Sequence, residues 1–141
     1  MKILVSACLL GEPCRYDGKS KPNEAVISLK EKHTLIPVCP EVLGGLKTPR
    51  IPAEVQGDRV VRVDGCDVTK EYINGAKITL DIAKRECVEI AILKSKSPSC
   101  SNKQIYDGTF TRTLIDGKGI TARLLEKNGI KVIDEQELIK L

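Results

Sequence analysis

The chain has 141 residues, 41% apolar and 30% charged, enough for one globular domain that buries its own core. Aromatics make up only 3% and tryptophan is absent, so the core must be aliphatic, and stacking platforms for single-stranded nucleic acid are not expected. The formal charge of +4 comes with lysines scattered along the chain, which suits a small anionic ligand better than a nucleic-acid groove.

Residues 2–7, KILVSA, form a short apolar run read as a first buried parallel strand. Val5-Ser6-Ala7-Cys8 has the look of a lipidation box, but the apolar stretch before the cysteine is too short for a signal peptide. No run approaches the roughly 18 apolar residues of a membrane span. The expectation is a cytoplasmic protein with Cys8 inside the folded domain.

Glycines and prolines make 11–23 a loop, and 24–32 has the spacing of a helix face with Asn23 as its cap. A second strand is expected over 34–39, ending on Cys39. Residues 40–58 read as a long ordered loop with one helical turn, and 59–65 as an exposed strand or hairpin arm. Thr69 opens the strongest helix, with Tyr72, Ala76, Leu80, Ala83 and Cys87 on one stripe. Gly75 inside it costs about 1 kcal/mol relative to alanine, a cost that close approach of another backbone would justify. A third strand over 88–94, a loop from 95, a helix over 119–129, a fourth strand over 130–134 and a closing turn over 134–140 complete the chain. Strand alternates with helix, so the fold class is α/β. It is read as a three-layer, Rossmann-like single domain over 1–141, with a mostly parallel sheet and long functional loops at the strand C-terminal ends.

Six cysteines without C-x-x-C spacing, in a cytoplasmic chain, do not read as disulfides or as a zinc knuckle. The only histidine, His33, is expected at a solvated helix end. Cys8 follows the first strand, Cys39 ends the second and Cys100 lies after the third. Loops beyond the carboxyl ends of parallel strands converge on one crevice, so three thiols would meet there. An all-sulfur site suits zinc or an iron–sulfur cluster, with Cys14 available as a fourth ligand. Inert buried thiols are the competing reading, kept for Cys66 and Cys87 and left open for Cys14.

The blocks "LVSACLLGEPCRYDG", "PVCPEVLGGLKTPR", "DVTKEYINGA" and "LKSKSPSCSNKQIYDG" stand in order along the chain. Together they resemble the bacterial and archaeal family once known only as domain of unknown function 523, whose members act as thiouracil desulfidases. The resemblance extends through "GKGITARLLEKNGIKV". It implies a 4Fe–4S cluster held by Cys8, Cys39 and Cys100, with Cys14 nearby but not a ligand. The longer relatives that act on tRNA carry a further domain absent here, which favours a free thiopyrimidine or its nucleotide over nucleic acid.

What the resemblance implies chemically is a non-redox exchange of a thiocarbonyl sulfur for oxygen from water. An open iron would bind the substrate's sulfur and polarise its carbon. Glu41, two residues past Cys39, is the candidate proton shuttle, since an anionic cluster favours protonation of a nearby carboxylate. Ser97 is the candidate for assisting proton transfer, with Ser99 beside it contacting the pyrimidine. Both serines also suit simple turn formation. Arg15 and Arg50 are candidates for holding a phosphate, with Asp17 in the same substrate-binding set; an Arg15–Asp17 ion pair is the competing reading. Two rival functions remain: a non-catalytic metal-binding module, and a sulfur transferase carrying a persulfide on Cys100 or Cys14. No membrane partner is expected, and a homodimer stays open.

Overall fold

A computed structural model describes residues 1–138 of the chain. The central sheet contains β1 (Lys2–Ser6), β2 (Thr34–Val38), β5 (Ile90–Ile92) and β8 (Lys131–Ile133) in the order β2-β1-β5-β8. All three pairings are parallel. β1 is central, and Ile3, Leu4 and Val5 are fully buried because both of its faces are covered. Side chains alternate across the strand. Leu4 packs with Leu80, Ala83, Leu125 and Val132 on one side. Ile3 and Val5 pack with Val26, Ile92 and Ile133 on the other. Each such side chain contributes about 1.5–3 kcal/mol by leaving water, so Leu4→Ala would cost roughly 2–5 kcal/mol.

The helices supply the outer layers. α1 (Glu24–Ser28) begins at Asn23, whose side chain accepts from the Val26 N–H, and the segment continues as a 3-10 turn over Leu29–Glu31. α3 (Thr69–Arg85) and α4 (Ile120–Lys127) lie side by side across the sheet. The stripe expected on α3 holds for Tyr72, Ala76, Leu80 and Ala83, which are all buried. It fails at Cys87: the helix stops at Arg85, and Cys87 is exposed with φ of 57°. Cys66 is exposed too, so neither is a core thiol. His33 is half-buried instead of solvated, and its Nδ1 has no partner among the described residues.

Short strands hide in the stretches read as loops. The 40–58 segment contains α2 (Pro40–Leu43) and β3 (Ala53–Gln56), and β3 pairs antiparallel with β4 (Arg59–Arg62). A second hairpin joins β6 (Gln104–Tyr106) to β7 (Leu114–Asp116). Both hairpins stand apart from the parallel sheet. The closing turn expected over 134–140 lies partly outside the described residues.

Close backbone contact explains Gly75. A Cβ there would stand 1.9 Å from the Pro40 carbonyl oxygen, and one on Gly44 would stand 2.0 Å from that of Glu71. α2 therefore touches α3 backbone to backbone, through Gly75 in α3 and Gly44 at the C-terminal cap of α2. Gly119 plays the same part at the start of α4, where a Cβ would meet the Ser99 carbonyl at 2.4 Å. No helix among the described residues is long and apolar enough to cross a membrane.

Candidate active site

Beyond the carboxyl ends of the parallel strands lies a cavity of roughly 610 Å³, within the range of small-molecule sites. Cys8, Cys14, Cys39 and Cys100 all line it. Each arrives by its own route. Cys8 sits in a 3-10 turn over Ala7–Leu10 directly after β1, with its carbonyl accepting from Gly11 and Lys21. Cys39 follows β2 and precedes Pro40, whose fixed φ starts α2. Cys100 stands in a turn closed by Ser97, whose Oγ accepts from the Ser99 and Cys100 N–H groups at 3.1 and 3.0 Å.

Cys8, Cys14 and Cys100 are buried, Cys39 is partly so, and Cys8, Cys14 and Cys39 are linked by hydrogen bonds. Hydrogen bonding to Cys14 and then burial push the Cys39 thiol up. Cys14 is pulled down by Cys39, but its bond to Cys8 and its burial outweigh this and leave it at about 11. Burial pushes the Cys100 thiol up to about 12, against opposing hydroxyl contacts from Ser6 and Ser97. These groups hold their protons at neutral pH, so binding a soft metal group here must release protons.

Among the described residues, no three His, Cys, Asp or Glu side chains are arranged to hold a single metal ion. A structural zinc would require four sulfurs gathered at about 2.3 Å from one point. The thiols are spread instead around a cavity with no histidine in its lining. Soft sulfur donors facing a space larger than one ion fit an iron–sulfur cluster better than zinc.

Glu41 lines the same cavity and is held from two sides. Its Oε2 forms an ion pair with Arg50, and its Oε1 accepts from the Tyr72 hydroxyl at 2.5 Å. Tyr72 comes from the buried stripe of α3, and burial followed by the adjacent Glu41 raises its phenol well above the usual range. It is a fixed donor. Arg50 also donates to the carbonyls of Cys14 and Lys47 and to the Thr48 hydroxyl. Burial works against its charge, but Glu41 outweighs burial and keeps the guanidinium protonated.

The other sequence candidates divide. Ser97 and Arg15 line the cavity, and among the described residues Arg15 makes no ion pair, with Asp17 or any other carboxylate. Ser99 does not reach the cavity: it is 1% exposed and its hydroxyl meets that of Thr121 at 2.7 Å, behind the wall. Asp17 also lies off the cavity, exposed, accepting from the Lys19 N–H as turn chemistry. Arg50 is in place, but both terminal nitrogens of its fork already serve protein acceptors. The sequence reading missed Tyr72 as a partner of Glu41, because its stripe position on α3 pointed only to the core. It also missed the hairpin wall, where Tyr106, Phe110 and Arg112 face the cavity.

The model of a family described as 2-thiouracil desulfurase matches residues 3–137. An uncharacterized protein of Bacillus subtilis (strain 168), YbbK, is 43% identical over 146 residues, covering 96% of this chain and 97% of that protein. The solved structure of a [4Fe-4S]-dependent thiouracil desulfidase, TudS, superimposes with a TM-score of 0.95 at 45% identity, covering 99% of this chain and 94% of the other.

Proposed function

The chain belongs to the 2-thiouracil desulfurase family, and on that premise we propose that it is a thiouracil desulfidase using a [4Fe–4S] cluster held by Cys8, Cys39 and Cys100. The reaction converts a thiolated pyrimidine (4-thiouracil, its nucleoside or its monophosphate) to the uracil form. One C=S bond is exchanged for C=O, water supplies the oxygen and hydrogen sulfide leaves. No electrons are gained or lost, so no reductant is needed. The observation carrying this reading is that thiols from three separate strand ends and the Glu41 carboxylate line a single cavity.

Held by three thiolates, such a cluster supplies an open iron, a Lewis acid soft enough for a thiocarbonyl sulfur. Glu41 takes the proton from water and returns it to the departing sulfide. Arg50 and Tyr72 fix its two oxygens while each oxygen keeps a further lone pair for that proton. The Ser97 hydroxyl already accepts two N–H groups, and its remaining O–H is available to Cys100 or to a substrate heteroatom. Arg15, with its guanidinium free of carboxylates, is the better phosphate candidate. Arg50 serves to orient Glu41.

The transferase alternative asks Cys14 or Cys100 to act as a nucleophile. Thiols pushed up to about 11 and about 12 are poor thiolates at neutral pH, which disfavours that role. The deciding experiment is anaerobic purification with iron and sulfide analysis, then measurement of sulfide released from 4-thiouracil and its monophosphate. Iron–sulfur content together with sulfide release is expected. Iron-free protein that still releases sulfide would overturn the proposal.

A further inference from the structure

The chain contains one phenylalanine, three tyrosines and no tryptophan. Tyr16, Tyr72, Tyr106 and Phe110 all line the cavity, and Tyr72 is the one aromatic that also packs into the otherwise aliphatic core. Tyr72 is committed to Glu41, and Tyr16 sits on the exposed 11–23 loop. Phe110 is different, because its backbone is held in an unfavourable conformation.

Among the described residues, four non-glycine residues have positive φ, and three of them, Lys96, Phe110 and Arg112, line the cavity. Phe110 and Arg112 both stand at 60°, a region bulky side chains rarely enter. Backbone of this kind persists only where surrounding contacts impose it, and it concentrates at ligand sites. Here the contacts are visible. On the outer side, Thr109 donates to Asp107 Oδ1 at 2.6 Å, and the hydroxyls of Thr109, Thr111 and Thr113 continue the chain at 2.6 and 2.8 Å. On the inner side, Glu54 Oε1 accepts the N–H groups of Gly108 and Phe110 at 2.9 and 3.2 Å. Gln56 Nε2 donates to the Gly108 carbonyl at 2.8 Å. The exposed threonines alternate with residues that line the cavity. Among the described residues Arg112 has neither a hydrogen bond nor an ion pair.

Resting on the desulfidase reading, we propose that Phe110 is the face on which the pyrimidine ring stacks and that Arg112 joins Arg15 in taking the anionic tail of a nucleotide substrate. Glu54 is a positioning residue that holds the 108–110 backbone. A flat heterocycle presents a face to an aromatic ring whatever its substituents, and a free guanidinium fork matches phosphate.

The test pairs two readouts. Phe110→Ala in the cluster-loaded enzyme should raise KM for 4-thiouridine monophosphate by roughly 5–100-fold, the range of single stacking contacts, with kcat little changed. The same variant, prepared without cluster, should bind uridine monophosphate more weakly by a similar factor in calorimetry. Phe110→Leu keeps apolar bulk without the ring and should lose the same affinity, which covers the case in which the alanine variant misfolds. Arg112→Gln should raise KM for the monophosphate and leave that for free 4-thiouracil unchanged. Unaltered KM and unaltered uridine monophosphate affinity in Phe110→Leu would overturn the proposal. If the unmodified enzyme released no sulfide, the desulfidase reading would fall instead, and the calorimetry would still decide whether Phe110 holds the base.

Discussion

Two walls of one cavity are held in place by different means. The sulfur wall hangs from the parallel sheet, and its turns are pressed against helices through Gly44, Gly75 and Gly119, where no side chain could fit. The opposite wall, with Tyr106 and Phe110, is carried by the β6–β7 hairpin and braced by β3, both outside that sheet. It is fastened by N–H groups donated to Glu54, by a hydrogen bond from Gln56, and by a row of threonine hydroxyls. On the proposed reading, chemistry that needs three sulfur ligands and a carboxylate in register is placed on rigid, buried backbone. Recognition of the substrate's outline is left to shorter and more exposed elements.

The largest expected effect comes from the sulfur wall itself. Cys39→Ala removes a proposed cluster ligand, and iron content should drop to background while desulfidation falls by more than about a hundredfold, beyond the usual loss from a neighbouring metal-site contact. Retained iron and activity would remove Cys39 from the ligand set. Glu41→Gln should separate chemistry from cluster assembly, with iron retained and kcat lowered roughly 10²–10⁴-fold, the usual range for a general acid/base. A normal turnover rate would end its role as proton shuttle.

Gly75→Ala probes the fastening of that wall. In an ordinary helix interior the change gains about 1 kcal/mol. Here the added methyl meets the Pro40 carbonyl at 1.9 Å, so denaturant unfolding should show a loss of about 1–3 kcal/mol instead. The sign alone decides whether α2 and α3 touch as described.

The smallest effect belongs to the hairpin side. Asp67 is held at about 2 by the Thr69 hydroxyl and N–H and then by Arg59; Asp64 is held at about 2, first by Arg62. Both lie below their ordinary value of 3.8, so the folded chain favours their ionised forms. Their contribution is complete above the unfolded value and is lost as pH falls towards 2. Melting temperature followed from pH 5 to pH 2 should fall less steeply in Asp67→Asn than in the parent, and equal slopes would remove Asp67 from the account.

Legibility in the sequence followed the range of the interactions. β1, β2, α3 and the position of cysteines at strand ends could be read because apolar periodicity and glycine or proline punctuation are local signals. β3, β6 and β7 have four, three and three residues, too short for a period, and they lie among turn residues. Ser97 and Ser99 flank one proline and look alike in sequence. Only the packing of Gly119 and Thr121 against this turn separates a serine in the cavity from one behind its wall. The Glu41–Arg50–Tyr72 contact joins three segments that meet only in the folded chain. The low aromatic content was visible at once, but its concentration in one place was not.

That concentration has a spectroscopic consequence. With every aromatic ring at the cavity, the near-ultraviolet circular dichroism of this chain arises from its cavity alone. In the cluster-free protein, seating a ligand should reshape that signal, while loosening of the aliphatic interior away from the cavity would pass through it unseen.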